Sequence, residues 1–232
     1  RLMFVSVLFL VAVPTFALPA YTITDLGTLG SNFSHAYGIN DVGQVVGFSD
    51  LATGLPHAFL YSSGTMIDLG TLGGDFSHAG AINDAGQVVG SSYDSTGTTR
   101  AFLYSGGTMT DLGTLGGNSS RAYGINDAGQ VVGDSDLLGD TTYHSFLWEG
   151  GTMYDLNSLL PTGSGWTLTS AQAINRWGDI VGYGRNSDGK TRGYLMTRTD
   201  VNRDDPVPEP GTLALSGLGL AVLVAYKKRR QA

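Results

Sequence analysis

Asp68-Leu69-Gly70-Thr71-Leu72-Gly73 is one copy of a block that organises the whole chain. The same six residues begin at Asp25 and at Asp111, and a degenerate copy begins at Asp155. Successive copies start 43, 43 and 44 residues apart. A constant spacing of this length indicates a repeat architecture, in which each unit is one supersecondary element stacked on the next.

Two further blocks recur in the same order within each unit. Ile-Asn-Asp-x-Gly-Gln-Val-Val-Gly begins at Ile39, Ile82 and Ile125, with a variant at Ile174. His-Ala-Phe-Leu-Tyr begins at His57, with variants at Arg100, His144 and Arg192. Over residues 21–198 these blocks resemble the HAF-repeat extracellular proteins. The resemblance implies export from the cell and implies nothing about chemistry.

Each of the first three units contains four short strand candidates, which in the first unit are residues 34–39, 44–48, 57–61 and 65–69. They are rich in β-branched and aromatic residues and are bounded by Gly, Asn, Asp or Ser. The Asn-Asp-x-Gly segment predicts a hairpin turn with positive φ at its glycine, which is Gly43, Gly86, Gly129 or Gly178. Because no helical periodicity interrupts the strands, the sequence predicts an all-β fold with propeller-like blades.

The two ends of the repeat determine whether such a fold closes. The fourth unit has only three strand candidates, residues 170–174, 179–183 and 192–196. A single candidate at residues 21–26 precedes the first unit. We therefore predict a four-bladed β-propeller in which residues 21–26 complete the last blade and remove its exposed edge. An open β-solenoid of the same repeats is the alternative.

The segment after the repeats has the pattern of a sorting signal. A motif is followed by an apolar run at residues 211–226 and then by a basic stop. The motif is Val207, Pro208, Glu209 and Pro210, and the stop is Lys227, Lys228, Arg229 and Arg230. The run is short for a hydrocarbon core of ~30 Å, but basic side chains can extend it by snorkelling, and they favour the cytoplasmic side. This tail resembles the PEP-CTERM sorting tail of Gram-negative bacteria, which implies processing by an exosortase.

The beginning of the chain fits the same route. An apolar run at residues 2–13, followed by small residues at Ala17 and Ala20, predicts a signal peptide that signal peptidase removes. We therefore divide the chain into a signal peptide (1–20), a repeat β domain (21–199), a linker with the motif (200–210) and a transmembrane helix with a basic tail (211–232). The predicted location is an inner-membrane intermediate, then the cell surface or the extracellular space.

The composition excludes some partners. The chain has 13 basic and 20 acidic residues, and five of the basic ones lie in the two end segments. The acidic body argues against nucleic acid or an anionic polymer as a partner. There is no cysteine, so the exported domain is expected to be stabilised by its core and topology alone.

No set of residues in the sequence has the pattern of a catalytic site. His57, Arg100, His144 and Arg192 share one register, which predicts a repeated structural contact with a nearby Asp rather than a catalytic base. His35 and His78 also share a register, but the later units carry Arg121 and Ser170 there, so no metal is predicted. The glycine-rich blocks lack the following helix and lysine of a phosphate-binding loop, and no cofactor is predicted.

The fourth unit differs most from the others and offers one candidate ligand platform. Its members are Trp166, Arg176, Trp177 and Tyr183, whose rings could stack on a sugar. The alternative is that the two tryptophans plug the last blade. The predicted function is a non-enzymatic, exported surface or matrix protein, with exopolysaccharide as a candidate partner. A glycan-active enzyme or lectin on the same scaffold is the alternative.

Overall fold

The structure is a computed structural model that describes residues 19–139, 142–201 and 203. Within these residues, fifteen strands form four antiparallel sheets, and each sheet keeps its strands in chain order. The first sheet contains β1 (Gly30–Ile39), β2 (Val45–Leu51), β3 (Pro56–Ser62) and β4 (Thr65–Asp68). The second contains β5 (Gly73–Ile82), β6 (Val88–Asp94), β7 (Thr99–Ser105) and β8 (Thr108–Asp111).

The third sheet contains β9 (Gly116–Ile125), β10 (Val131–Leu137), β11 (Tyr143–Glu149) and β12 (Thr152–Asp155). A single-turn 3₁₀-helix at Leu156–Leu159 leads to the fourth sheet. That sheet contains β13 (Thr167–Ile174), β14 (Ile180–Arg185) and β15 (Thr191–Met196). The prediction of an all-β fold is therefore confirmed. Among the described residues, no helix has the length and apolarity that a membrane span requires.

The first hairpin of each sheet turns on the predicted glycine. Gly43 has a φ of 80°, and its amide donates to the Asn40 carbonyl over 3.0 Å. The Asn40 side chain accepts from the Gln44 amide at 2.8 Å. Positive φ recurs at the other three predicted glycines. These turns place the Asn and Asp side chains of every unit at the same end of its sheet.

Hydrophobic cores lie between successive sheets. The first joins Val46, Ala58 and Leu69 of the first sheet to Ala79, Val88 and Phe102 of the second. Equivalent clusters join the second sheet to the third and the third to the fourth. Because side chains alternate along a strand, Val46 faces the second sheet, whereas the preceding residue, Val45, faces the opposite side.

The glycine of that Val-Val-Gly block packs against backbone. A Cβ atom added to Gly90 would overlap the carbonyl oxygen of His78, and Gly47, Gly133 and Gly182 have the same close approach to β1, β9 and β13. Since the offending atoms belong to the backbone, they cannot rotate away. The conserved spacing of the block therefore reflects a bulge in each first hairpin, where the register shifts by one residue.

The four sheets follow one another in chain order, and the fourth does not close on the first; we call this arrangement the open fan. The first strand of each sheet contacts the first strand of the next, and the four hairpin turns line one shared cavity. The predicted closure is not observed: residues 21–26 form no strand, and the fourth sheet keeps three strands. The Ser34 hydroxyl donates to the Gly27 carbonyl at 2.8 Å, and the Leu29 amide donates to Ser49 at 2.9 Å. These contacts hold the end of the segment on the first sheet, as the equivalent bonds from Ser77 to Gly70 and from Leu72 to Ser92 hold the connection after β4 on the second sheet.

The two outer faces of the fan are consequently uncovered. Ile39 is 70% exposed, whereas its equivalent Ile82 in the second sheet is 9% exposed. At the other end Val181 is 43% exposed, whereas Val89 and Val132 are fully buried. The predicted closed propeller is therefore not confirmed, and the four hairpin turns line one shared cavity. The predicted signal peptide up to residue 18, the motif at 207–210 and the segment at 211–232 lie outside the described residues.

Candidate functional site

In the first three sheets, the basic residue of the His-Ala-Phe block faces the Asp that ends the same sheet, and Arg100 also donates a hydrogen bond to Asp94 at 3.2 Å. The strand pairing of β3 with β4 places His57 Nδ1 3.0 Å from Asp68. His144 Nδ1 lies 2.8 Å from Asp155, and Arg100 Nε lies 3.9 Å from Asp111. This predicted structural contact is therefore observed in three sheets.

The carboxylates of these pairs also hold the following turns. Asp68 accepts from the Gly70 amide at 2.8 Å, and Asp111 accepts from the Gly113 amide at 2.8 Å. Arg192, the fourth member of the register, has no carboxylate partner among the described residues and donates to the Thr191 carbonyl. The pairs therefore have a structural role in holding the turns that follow the fourth strands.

The shared cavity at the convergent end has a volume of about 290 Å³. A ladder of asparagines runs beside it: Asn40 Nδ2 donates to the Asn83 carbonyl at 3.0 Å, and Asn83 Nδ2 donates to the Asn126 carbonyl at 3.0 Å. Asn126 continues the ladder to the Asn175 carbonyl at 2.9 Å. Each rung satisfies a buried amide and fixes the spacing of neighbouring sheets.

A second ladder of acidic residues follows the first. The Asp41 amide donates to Asp84 Oδ1, and the Asp84 amide donates to Asp127 Oδ1, both at 2.9 Å. In the part of the chain that the structure describes, no three His, Cys, Asp or Glu side chains are arranged to hold a metal ion. The fourth unit places Arg176 at this position instead, so the cavity ends on a positive charge.

The structure does not bring the four predicted platform residues together. Trp166 precedes β13 and Trp177 follows it, so the eight residues of this strand, which span ~25 Å of backbone, lie between them. Trp166 packs on the core between the third and fourth sheets, and the interpretation that both tryptophans plug the last blade stays a prediction. The Arg176 guanidinium lies 4.5 Å from the centre of the Trp177 ring, and the half-exposed Tyr183 lies along β14. Only Arg176 and Trp177 therefore form one surface.

A larger aromatic surface lies between the first and second sheets. We name it the aromatic cluster, and it consists of Phe33, His35, Tyr37, Phe48 and His78. The Tyr37 and Phe48 rings are stacked with centroids 6.1 Å apart, and the Tyr37 and His78 centroids are 4.6 Å apart. The Tyr37 hydroxyl lies 3.0 Å from His35 Nδ1. Burial lowers the pKa of His78, with a smaller lowering from nearby His35. The His78 ring is therefore neutral at neutral pH.

The sequence alone did not reveal the aromatic cluster. Phe48 occupies the register of Ser91 and Asp134 in the next two units. This change from polar to aromatic residue is the one feature of the repeat that could have indicated the cluster. Phe33 and Tyr37 are about half exposed. Aromatic rings that stay exposed in a cluster are unusual on a soluble surface, and they indicate a binding surface.

The equivalent position between the third and fourth sheets is polar. Asp134 is buried, and its Oδ2 accepts from the Ser170 hydroxyl at 3.0 Å. Arg121 Nη1 lies 3.8 Å from the other carboxylate oxygen, which makes no hydrogen bond. Burial raises the pKa of Asp134 despite the bond from Ser170. Because Ser170 belongs to the neighbouring sheet, this contact joins two sheets through polar groups.

The comparisons with known proteins concern the tail of the chain. A family model described as the PEP-CTERM protein-sorting motif matches residues 206–230. The tail is a PEP-CTERM sorting motif. The match includes the predicted motif residues and the basic stop, and it makes the chain an exported protein sorted via the membrane with exosortase as its processing partner. No curated protein matches the chain.

Proposed function

We propose that this chain is a non-enzymatic surface or matrix protein whose repeat domain contacts exopolysaccharide outside the cell. The observation that carries the proposal is the aromatic cluster on an exported, acidic β domain. Sugar rings present flat C–H faces that stack on aromatic rings, and a row of such rings suits an extended polymer. The Tyr37 and Phe48 rings provide a stacked pair, and Phe33 extends it, with its centroid 5.6 Å from that of Phe48.

The electrostatics of the described residues support a binding role over catalysis. The pairs of His57 with Asp68 and of His144 with Asp155 recur at a fixed register and hold turns. Glycoside hydrolysis would instead use two placed carboxylates on either side of the scissile bond. The aromatic cluster contains no carboxylate, so it supports binding without cleavage.

The proposal also covers the route that delivers the domain. The repeats are of the HAF type, signal peptidase removes residues 1–20, and residues 211–226 hold the intermediate in the inner membrane until exosortase releases or transfers it. The chain then remains at the cell surface or in the extracellular matrix. The PEP-CTERM match supports this route.

A polymer-binding experiment tests the proposal. Purified exopolysaccharide immobilised on beads should retain the wild-type protein. Most of the Tyr37→Ala protein should remain unbound. Tyr154→Ala is the matched control, because Tyr154 is 43% exposed on β12 and Tyr37 is 50% exposed on β1. Equal retention of both variants would contradict the proposal. Release of oligosaccharides from the beads would instead support the glycan-active enzyme.

A further inference from the structure

The two ends of the fan carry the unmatched parts of one four-stranded sheet. At one end, β15 pairs with β14, and no described residue pairs with its other edge. At the other end, residues 21–26 form no strand, and Ile23 is fully exposed. This segment aligns with β4 in the repeat, with Thr22 and Asp25 at the positions of Thr65 and Asp68. A free strand edge is a template for pairing with another strand.

The two ends also carry the separated halves of the repeated ion pair. In the first three sheets, the basic residue of the third strand faces the Asp of the fourth strand. Arg192 on β15 is the basic residue without its Asp, and the exposed Asp25 is the Asp without its basic residue. Asp25 already accepts from the Gly27 amide at 2.9 Å, as Asp68 does from Gly70. The turn that would present Asp25 to Arg192 is therefore formed.

An apolar cavity lies where the missing strand would place a side chain. It has a volume of about 550 Å³ beside β15, and Trp166, Leu168, Tyr194 and Met196 help to line it. In the preceding two interfaces, Met109 and Met153 of the fourth strands pack on the equivalent cores. Ile23 occupies the register of these methionines. Its side chain is of suitable size and polarity for the cavity.

The outer faces of the first and last sheets repeat a contact that the chain makes three times internally. Ala36 and Ile39 are exposed on the first sheet, whereas Ala79 and Ile82 bury against the sheet before them. Val181 and Leu195 are exposed on the last sheet, where Val89 and Leu103 pack against the sheet that follows. The exposed residues of the two end faces occupy the same registers as these buried residues. The two end faces are thus complementary in shape and polarity.

The short connection to the first sheet determines which chain can supply the missing strand. Gly27–Leu29 corresponds to Gly70–Leu72, which connects β4 to the adjacent second sheet. Three residues span at most ~11 Å, or one sheet-to-sheet step of ~10 Å. The segment can therefore pair only with a sheet that lies directly against the outer face of the first sheet. In the open fan, a second chain can provide such a sheet.

We propose that this protein assembles head to tail with a second copy of itself. The last sheet of one copy packs on the first sheet of the next, and residues 21–26 of the second copy form the fourth strand beside β15 of the first. Asp25 of one copy then pairs with Arg192 of the other. The contact is heterologous, so repetition gives a closed ring or a filament. This inference goes beyond the proposed function and does not depend on polymer binding.

Disulfide trapping tests the assembly, because the chain has no cysteine of its own. Tyr61 pairs directly with Met66 in the first sheet, so the proposed register pairs Met196 of one copy with Ile23 of the other. Such pairs have Cα atoms ~4.5–5.5 Å apart, which a disulfide can bridge. We expect full chains with Ile23→Cys, mixed in mild detergent with full chains carrying Met196→Cys, to form a covalent heterodimer under oxidation. The control is Ile23→Cys mixed with Leu195→Cys. Because these two side chains would lie on opposite faces of the sheet, this mixture should give several-fold less covalent heterodimer.

The double variant Ile23→Cys/Met196→Cys separates the two closures. A ladder of dimers and larger species on a non-reducing gel supports the assembly. Monomers with an internal disulfide would show that the chain completes its own last sheet, and a lack of disulfides in both experiments would also overturn the proposal. Circular dichroism of each variant confirms that it is folded.

A charge exchange tests the specific pair. Adding Arg192→Asp to the Met196→Cys chain should lower the heterodimer yield several-fold. Adding Asp25→Arg to the Ile23→Cys chain should restore the yield in the mixture. Failure of the second change to restore it would contradict the proposed pairing of Asp25 with Arg192.

Discussion

Val89, Val132 and Val181 provide a direct test of the open fan. They occupy the same register in the second, third and fourth sheets, and each pairs with a leucine of the neighbouring strand. Val89 and Val132 are fully buried, whereas Val181 is 43% exposed because no sheet among the described residues covers it. Substitution by alanine is therefore the same chemical change in two environments.

The expected losses of stability follow from the buried surface. Removing two buried carbon groups costs ~0.8 kcal/mol each in transfer free energy, and the remaining cavity raises the total to about 2 kcal/mol. At Val181 the partly exposed side chain should lose about 1 kcal/mol or less. For a domain of this size, ~1 kcal/mol lowers Tm by about 2–4 °C. Val89→Ala and Val132→Ala should thus melt about 4–8 °C below wild type, and Val181→Ala only about 2–4 °C below it.

Thermal and urea denaturation at low protein concentration measure these differences, and sedimentation confirms that the sample is monomeric. Equal losses at all three positions in a monomer would refute the open fan, because they would require a sheet of the same chain over Val181. If copies associate head to tail, the cost of Val181→Ala should increase with protein concentration, since association stabilises the folded state.

Three other predictions concern the turns, the buried carboxyl and the tail. Gly43→Ala should lower the free energy of unfolding by roughly 1 kcal/mol, because the residue has a positive φ. Gly90→Ala should lower it several-fold more, because the added Cβ would overlap backbone atoms. Urea denaturation of the two variants measures both losses. Asp134→Asn should raise Tm at pH 7 and lose this advantage near pH 4. Because the pKa of Asp134 is raised in the folded state, ionisation of this carboxyl destabilises the fold once the pH exceeds the ordinary pKa of Asp. A larger gain in Tm for Asp134→Asn at low pH than at pH 7 would contradict this account. The mature extracellular protein should lack the basic stop, and mass spectrometry that recovered peptides ending at Lys227 would show that the tail is retained.

Much of the local structure could be predicted from the sequence. The all-β class, the hairpin glycines and the pairing of His57 with Asp68 all depend on residues close together in one unit. Strand positions were correct to within a few residues, although β1 begins at Gly30 rather than at residue 34. Local backbone preferences and the two-residue alternation of a strand are sufficient to determine such features.

The candidate site was harder to predict, because it depends on contacts between units. Trp166 and Trp177 are close in sequence, but an extended strand separates them. The aromatic cluster combines Tyr37 and Phe48 of one unit with His78 of the next, and no local pattern joins them. Such surfaces require the offset between neighbouring sheets, which side-chain packing across the interface sets.

The fourfold β repeat, its turns, its within-sheet ion pairs and the PEP-CTERM sorting motif can all be inferred from the amino-acid sequence, because short spacings and a short motif encode each of them. The open fan, with residues 21–26 apart from β15, is visible only in the folded chain. Closure depends on the angle accumulated over three sheet-to-sheet contacts. A small change in the angle at each contact adds up over the three contacts. The total angle therefore cannot be predicted from the sequence of any single repeat.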